Sequence, residues 1–275
     1  MTAIAGKNVL VTGGASGLGR LVALKMAGRG ATLVLWDLHE GNTARVLDEL
    51  KAQRGRQAWA YCCDVSDRSQ VYQTAARVKQ EVGPVHILVN NAGVVTGKPL
   101  LDASDQEIER TMGVNTMALF WTCKAFLGDM IRAGSGHVVT VASAAGVIGV
   151  AGLADYCASK WAAVGLNESL RAELRKTAPG VRTTVVCPHY VDTGMFRGVK
   201  SRASWLLPIL KQDRVAEHIV RAVERNRPAL MLPRLVGLVP VLRVLPVALF
   251  DAAARRLGVQ SAMETFVGRA GSGSE

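Results

Sequence analysis

Three side chains near the middle of the chain have the types and the spacing of a proton-transfer site. Tyr156 and Lys160 lie four residues apart in a helix-like stretch, which places both side chains on one face. A free tyrosine has a pKa of about 10, and a neighbouring ammonium lowers that pKa because it stabilises the phenolate. Ser143, thirteen residues before Tyr156, follows a strand-like run and can donate a hydrogen bond to a substrate oxygen. These residues predict general acid–base chemistry at an alcohol or carbonyl group.

A glycine-rich turn near the start of the chain predicts a dinucleotide site. Residues 12–20 read TGGASGLGR and join a strand-like run to a helix-like run. Glycines allow a pyrophosphate to approach the backbone closely, and its charge is met by amides at the helix N-terminus. The spacing G-x-x-x-G-x-G differs from the commoner G-x-G-x-x-G, and a purely structural turn is the alternative. The residues expected to contact the cofactor are Gly13, Ser16, Gly17, Leu18 and Gly19.

An acidic residue at the end of the second strand-like run predicts which dinucleotide is preferred. Asp37 stands where a carboxylate hydrogen-bonds the adenosine ribose hydroxyls, and it would repel the 2′-phosphate of NADP. Ser16 and Leu38 occupy the positions where a basic residue would offset the repulsion of the 2′-phosphate. Arg20 and Arg45 are basic residues nearby, so NADP is kept as an alternative cofactor. We therefore expect NAD, with NADP as the less favoured cofactor. An oxidised nicotinamide would also favour the phenolate of the nearby tyrosine.

Two further strand ends are candidate cofactor contacts. Asp64 and Val65 follow the third run and fit an adenine contact, with a loop cap as the alternative. Asn90 ends the fourth run and begins the sequence NNAG, for which turn chemistry alone is the alternative.

The order of elements predicts an α/β fold. Helix-like stretches at 18–28, 43–54, 69–82, 105–132 and 155–176 separate short apolar runs, which lie at 8–12, 32–36, 58–62, 86–90, 137–142, 183–188 and 230–232. Such alternation implies βαβ crossovers, and uniformly apolar strands imply a sheet covered on both faces. We expect a Rossmann-like doubly wound parallel sheet of about seven strands with helices on both faces, plus short C-terminal helices.

The chain is long enough for one domain, which we place at residues 1–270. The Gly/Ser-rich end, residues 271–275, is expected to be disordered. Prolines interrupt residues 191–260, which follow the sixth strand, and ligands bind beyond the carboxyl ends of strands in such sheets. Residues 191–260 are therefore the expected substrate lid and C-terminal extension.

Composition excludes several classes of protein. The five cysteines are scattered, and neither they nor the isolated histidines have the spacing of metal ligands, so we expect free thiols and no metal. The first strand begins close to the initiator methionine, and no apolar run reaches the ~20 residues that span a bilayer. We expect a cytoplasmic protein that is not secreted. The formal charge of +11 fits an anionic partner, but the sequence has no groove-reading helix or aromatic platform typical of a nucleic-acid binder.

Much of this charge lies in the last quarter. Residues 197–260 carry twelve Lys or Arg against four Asp or Glu, and residues 235–250 are mostly apolar. Basic residues beside an apolar face suit a helix lying on a membrane surface. Closure of a substrate pocket, or a dimer interface, is the alternative.

Taken together and in order, these motifs resemble the short-chain dehydrogenase/reductase family over residues 8–200. The resemblance implies that Tyr156 is the acid/base, that Lys160 binds the nicotinamide ribose and lowers the tyrosine pKa, and that Ser143 orients the substrate. It also implies that Asn115 holds a water molecule of the proton relay. Val191 and Thr193, after the sixth strand, fall on the nicotinamide side, where the threonine would contact the carboxamide. A homodimer or homotetramer through 105–132 and 155–176 is implied as well.

A narrower resemblance is to the membrane-associated retinol dehydrogenase branch and its 17β-hydroxysteroid neighbours. It is carried by the sequences VLWD at 34–37, NNAGVV at 90–95, FWT at 120–122, DYCASK at 155–160 and DTGMFRG at 192–198. It implies a lipophilic alcohol or carbonyl substrate, most closely retinol, with a 17β-hydroxysteroid as the alternative; an NAD-sensing scaffold without turnover is the alternative of another class. His189 replaces the glycine usual after Pro188, and the hydrophobic anchor usual in this branch is not found in the sequence.

Overall fold

The computed structural model describes residues 1–52, 57–200 and 205–268. Within them, seven parallel strands form one sheet in the order β3-β2-β1-β4-β5-β6-β7. The order reverses between β1 and β4, and ligands bind at such a switch point in open α/β sheets. The strands are β1 (Asn8–Thr12), β2 (Thr32–Asp37), β3 (Ala58–Cys62), β4 (Ile87–Asn90), β5 (Gly136–Val141), β6 (Val181–Pro188) and β7 (Ala229–Leu232).

Helices cover both faces of this sheet. One face carries α1 (Gly17–Gly28), α2 (Glu40–Lys51) and α7 (Gln212–Glu224), and the other carries α3 (Arg68–Glu81), α4 (Asp105–Met112), α5 (Ala118–Arg132) and α6 (Ala154–Thr177). Two short helices follow the last strand, α8 (Val239–Leu242) and α9 (Val247–Arg256). A 3₁₀ turn, Arg234–Leu238, precedes them.

The strands are mainly apolar because the sheet buries side chains on both of its faces. Along β1, Val9 and Val11 pack under α1 and α7, whereas Leu10 packs under α3 and α5. In β2, Leu33 and Trp36 likewise face opposite layers. The fold class predicted from the sequence is confirmed by this architecture.

Most elements lie within a few residues of their predicted bounds, and two regions differ. The predicted helix at 105–132 is divided by a π-helical turn, Gly113–Met117, into α4 and α5. Within 191–260, where short helices were expected, α7 has thirteen residues and belongs with β7 to the sheet and its helical layer. The predicted end of the second helix, at residue 54, and the tail at 271–275 lie outside the described residues.

Candidate active site

The glycine turn between β1 and α1 is too tight for side chains. Gly13 and Gly17 have positive φ angles of 62° and 50°, and a methyl group on Gly13 would lie 2.9 Å from the Cα of Ala92. At Gly19 a methyl group would overlap the carbonyl oxygen of Gly13. Ser16 begins α1 without a side-chain cap, so the first amides of the helix keep their hydrogens for another acceptor. This cradle fits the pyrophosphate of a dinucleotide.

Not every predicted residue of this turn offers its side chain. Leu18 is buried in the core between α1 and the sheet, so its contact with a cofactor would come from the main chain. Thr193, in contrast, lies across the turn, because a methyl group on Gly17 would be 3.4 Å from the Thr193 Cβ. Val191 is buried behind it and pairs with Leu210 in an isolated parallel bridge.

Asp37 stands beside the turn, as the sequence predicts. Its Oδ2 accepts a hydrogen bond of 2.9 Å from the Ala15 amide, and its Oδ1 accepts one of 3.2 Å from the His39 amide. A carboxylate has about four acceptor positions, which leaves capacity for the two ribose hydroxyls. Arg20 is held away by an ion pair of 2.6 Å with Glu49. This arrangement favours NAD over NADP.

The asparagines that end β4 have different roles. Asn90 was expected to bind the cofactor, but its Oδ1 accepts a 2.9 Å hydrogen bond from Thr122 inside the core. Its side chain is therefore unavailable, and only its main chain can serve. Asn91 instead donates from Nδ2 to the carbonyl oxygens of Thr12 and Gly13, at 3.0 and 3.1 Å. This side chain holds the glycine turn against β4.

Asp64 and Val65 follow β3. The Asp64 Oδ1 accepts hydrogen bonds from the amide and the hydroxyl of Ser66, at 2.8 and 2.7 Å, so the loop-cap alternative is observed for this oxygen. Val65 is buried among the residues packed under α3. An adenine could therefore be contacted by the Asp64 Oδ2 and by the main chain of Asp64 and Val65.

Ser143 and Tyr156 form the centre of the site. Ser143 follows β5, and Tyr156 lies in the first turn of α6, where the serine side chain is near enough to lower the pKa of the phenol through hydrogen bonding. Tyr156 is only 4% exposed, and this burial raises the pKa of its phenol, against the lowering by the Ser143 hydrogen bond. Without a cofactor, removal from water outweighs the favourable interactions, and the lowered pKa that the sequence predicts beside an ammonium and an oxidised nicotinamide stays a prediction.

Lys160 lies one turn further along α6, as the spacing predicts. Its Nζ is 5.6 Å from the centre of the Tyr156 ring and donates a 3.1 Å hydrogen bond to the Val141 carbonyl. Among the described residues this is its one hydrogen bond, so two ammonium hydrogens are left for a ribose. Burial lowers the pKa of Lys160 to about 8.

The π-helical turn positions Asn115. Its Oδ1 accepts a 2.8 Å hydrogen bond from the Val94 amide, and its Nδ2 donates to the Val94 carbonyl and to Ser159 at 2.9 and 3.0 Å. A methyl group on Gly93 would lie 3.3 Å from this Oδ1 and 3.5 Å from the Lys160 Nζ. The Asn115 carboxamide and the Lys160 ammonium therefore both lie close to Gly93. The Asn115 Oδ1 keeps a second lone pair that can accept a hydrogen bond from a water.

A cavity of about 200 Å³ opens from the serine and tyrosine hydroxyls. Its other polar lining residues are His189 and Tyr190, and the remainder of its lining is apolar. Many of these apolar residues come from residues 234–263, which we call the C-terminal cover. Of the stretch predicted as a lid, α7 and β7 belong to the body of the fold. The cavity is lined by Phe196 and Leu207 on one side and by the C-terminal cover on the other.

His189 and Tyr190 directly follow β6. Both line the cavity, and their rings meet edge to face with centroids 4.6 Å apart. Burial lowers the pKa of His189 to about 4, so the imidazole is neutral near pH 7. Its Nδ1 is buried without a hydrogen-bond partner among the described residues. No pattern in the sequence indicates that this nitrogen lacks a hydrogen-bond partner.

Comparisons with known proteins agree with the geometry. Residues 7–204 match the short chain dehydrogenase family. The chain is 46% identical to epidermal retinol dehydrogenase 2 of Homo sapiens over 96% of its own length and 86% of the relative. It is 43% identical to short-chain dehydrogenase/reductase family 16C member 6 of Bos taurus, over 98% and 86%. A short-chain dehydrogenase/reductase of Burkholderia phymatum, solved with NAD, is 30% identical with a TM-score of 0.80, covering 89% of this chain and 95% of that one.

Proposed function

The chain belongs to the short-chain dehydrogenase family and is an NAD(P)-dependent oxidoreductase, and we propose that it interconverts a retinol-like lipophilic alcohol and its carbonyl. The observation that carries this proposal is that Ser143 and Tyr156 line the same, mainly apolar cavity. An alcohol with a long hydrocarbon chain would place its hydroxyl at this pair and its chain along the apolar lining. The names of the relatives, which include retinol dehydrogenases, support the same substrate class.

The residues present fit a nicotinamide dinucleotide. Gly13, Ser16, Gly17 and Gly19 would hold the pyrophosphate, Asp37 the adenosine ribose, and Thr193 the nicotinamide end. When bound, the cofactor supplies the acceptor for the hydride of the alcohol carbon. A structure of a metagenomic short-chain oxidoreductase contains NADP, so both cofactors occur among similar structures. In this chain the Asp37 carboxylate favours NAD.

The chain's own residues handle the proton. Tyr156 takes the hydroxyl proton during oxidation and returns it to the carbonyl oxygen during reduction, while Ser143 donates a hydrogen bond to the same oxygen. Because burial raises the pKa of the phenol, the protonated form dominates at neutral pH, which suits reduction. Oxidation needs the phenolate, which the positive charge of Lys160 favours. The oxidation rate should therefore rise with pH. Asn115 would hold a water that passes the proton onward.

Association with other molecules is also part of the proposal. Among the described residues no helix combines the length and apolar character required to span a bilayer. We propose peripheral membrane contact through the C-terminal quarter. For a homodimer or homotetramer, the π-helical turn, α5 and α6 offer partly exposed apolar side chains, namely Met117, Phe120, Ile131 and Trp161.

The first test is Tyr156→Phe, assayed with retinoid, steroid and short secondary alcohols against NAD and NADP. Loss of the phenol removes the proton acceptor but preserves the ring, so we expect turnover to fall by about 10³-fold or more. Dissociation constants for NAD, measured by fluorescence titration, should change by less than about threefold. Full turnover by this variant would show that another group moves the proton. NAD binding by the wild-type protein without oxidation of any alcohol would favour a cofactor-binding scaffold instead.

A further inference from the structure

The outer surface of the C-terminal cover is unusually apolar. Residues 240–249 are all exposed, and nine of these ten residues are apolar. Val244 is 86% exposed and Val247 is 76% exposed. Soluble proteins rarely leave a contiguous apolar surface of this kind in water, and such surfaces mark sites of contact with a membrane or another protein.

The same segment forms part of the wall of the substrate cavity. Leu238, Leu242 and Leu245 line the cavity and are also 51%, 43% and 42% exposed. A side chain that contacts both the cavity and the surface lies at the mouth between them. The cavity therefore opens within the apolar surface rather than beside it.

The charge around this mouth selects its partner. Residues 234–260 contain four arginines and a single acidic residue, Asp251. In a symmetric contact between two copies, the same surface meets itself, and these arginines would repel one another. Anionic lipid headgroups would instead attract them, by ~1 kcal/mol for each basic residue near the surface. An apolar surface with basic residues is the pattern of an interfacial helix.

We infer that the C-terminal cover docks on an anionic lipid bilayer and that the lipophilic substrate enters the cavity directly from that bilayer, between α8 and α9. This inference rests on the proposed function, since it concerns how the alcohol reaches Ser143 and Tyr156. A long-chain alcohol dissolves in the membrane, and an apolar mouth held in the membrane lets it pass to the cavity without crossing water. Substrate and product would then be exchanged with the lipid phase.

The test uses the full chain and a lipophilic alcohol carried in vesicles of phosphatidylcholine with or without phosphatidylserine. The double variant Val244→Glu/Val247→Glu places two charges on the exposed surface, at positions that do not line the cavity. We expect binding to the anionic vesicles, measured by flotation, to fall by about tenfold or more. The kcat/KM for the vesicle-borne alcohol should fall in parallel. The kcat and KM for a short, water-soluble alcohol should remain unchanged.

A matched control is Leu101→Glu, at an almost fully exposed leucine outside the C-terminal cover, which should alter neither vesicle binding nor turnover. A second variant, Leu242→Trp, narrows the mouth without adding charge. It should keep vesicle binding and lower kcat/KM for the vesicle-borne alcohol by about fivefold, which is ~1 kcal/mol. Unchanged turnover of that alcohol would place the entrance elsewhere and overturn the inference.

The outcomes separate this inference from the proposed function. If no alcohol is oxidised under any condition, the proposed function fails. If a short alcohol is oxidised but the double variant still binds vesicles and uses the vesicle-borne alcohol normally, only the membrane entrance fails. A decrease in oligomer mass in the double variant, measured by light scattering, with vesicle binding unchanged, would show that a second copy covers this surface.

Discussion

The cofactor end of the sheet and the C-terminal cover serve the same site but are held in different ways. The glycine turn is fixed by main-chain geometry and by Asn91, which bonds two of its carbonyl oxygens. The cover contacts the body mainly through apolar side chains, with few side-chain hydrogen bonds. A change of one atom is costly at the first region, whereas the second can change its side chains and still close the cavity.

This difference fits the two tasks. A pyrophosphate is the same in every dinucleotide, and its recognition by backbone amides requires fixed positions within a few tenths of an ångström. A hydrocarbon chain is recognised by apolar contact, which is not directional. The cofactor end therefore specifies the chemistry, and the cover specifies which alcohol reaches it.

The strongest test of this contrast is Gly19→Ala. The added methyl group would overlap the Gly13 carbonyl oxygen and press on Asn91, so the turn must open. We expect the free energy of unfolding to fall by about 3 kcal/mol. NAD affinity, measured by titration, should weaken by about 100-fold.

The matched control for that variant is Gly28→Ala, in the last turn of the same helix. A methyl group there would meet nothing within 4 Å. Because alanine favours helix more than glycine, this control should stabilise the protein by up to ~1 kcal/mol. Equal effects of the two variants would show that the turn is not tightly constrained.

Acidification should lower the free energy of unfolding through the protonation of a buried histidine. His137 lies fully buried in β5, where its ring is hydrogen-bonded to Thr2 and Thr184 at 3.1 and 2.8 Å. Burial lowers the pKa of His137 to about 4, so the unfolded chain binds a proton there that the folded chain does not. Stability is therefore lost as the pH falls from about 6.5 towards 4, by up to ~3 kcal/mol for this group.

The variant His137→Gln keeps hydrogen-bonding capacity and removes this titration. Urea unfolding of the variant and the wild type should differ little at pH 7.5, and the variant should lose less stability at pH 4.5. An identical pH dependence of the two proteins would exclude His137 as the acid-sensitive group.

Sequence reasoning succeeded where one physical rule decides the outcome. The seven strands were found because buried parallel strands are mainly apolar. Tyr156 and Lys160 were placed together because helical spacing fixes which side chains share a face. Helix α7 was missed as a core element, although Val215, Ile219 and Val223 recur at helical spacing and face the sheet. That periodicity was available in the sequence.

Other features depend on contacts between distant segments. The π-helical turn at Gly113–Met117 accompanies hydrogen bonds from Asn115 to Val94 and Ser159, which no local pattern reveals. The pKa of Tyr156 depends on how deeply the fold buries it as well as on its charged neighbours, and the depth of burial does not follow from the spacing of Tyr156 and Lys160. Likewise, the prolines of the C-terminal cover indicated short helices but not which of their side chains line the cavity.

The smallest expected effect, on the KM for the alcohol, concerns Arg243, which attaches the C-terminal cover to the rest of the domain. Its guanidinium lies 4.4 Å from the centre of the Trp161 ring in α6 and donates a 3.2 Å hydrogen bond to the Val147 carbonyl. Each contact of this kind contributes about 1 kcal/mol at a partly exposed site. We expect Arg243→Leu to raise KM for a lipophilic alcohol about fivefold, since the cavity wall is less firmly held, while kcat and NAD affinity stay unchanged.

Arg255→Leu removes the same charge from an exposed position of α9 and serves as the control. With the alcohol supplied in neutral phosphatidylcholine vesicles, where attraction to anionic lipid does not act, its KM should stay unchanged. A rise in KM in both variants would assign the effect to the charge of the cover rather than to its attachment. A fall in kcat or in NAD affinity with Arg243→Leu would mean that the cover also positions Tyr156 or the glycine turn. The separation of the two regions would then be lost, because a change in the wall of the cavity would have reached the cofactor end.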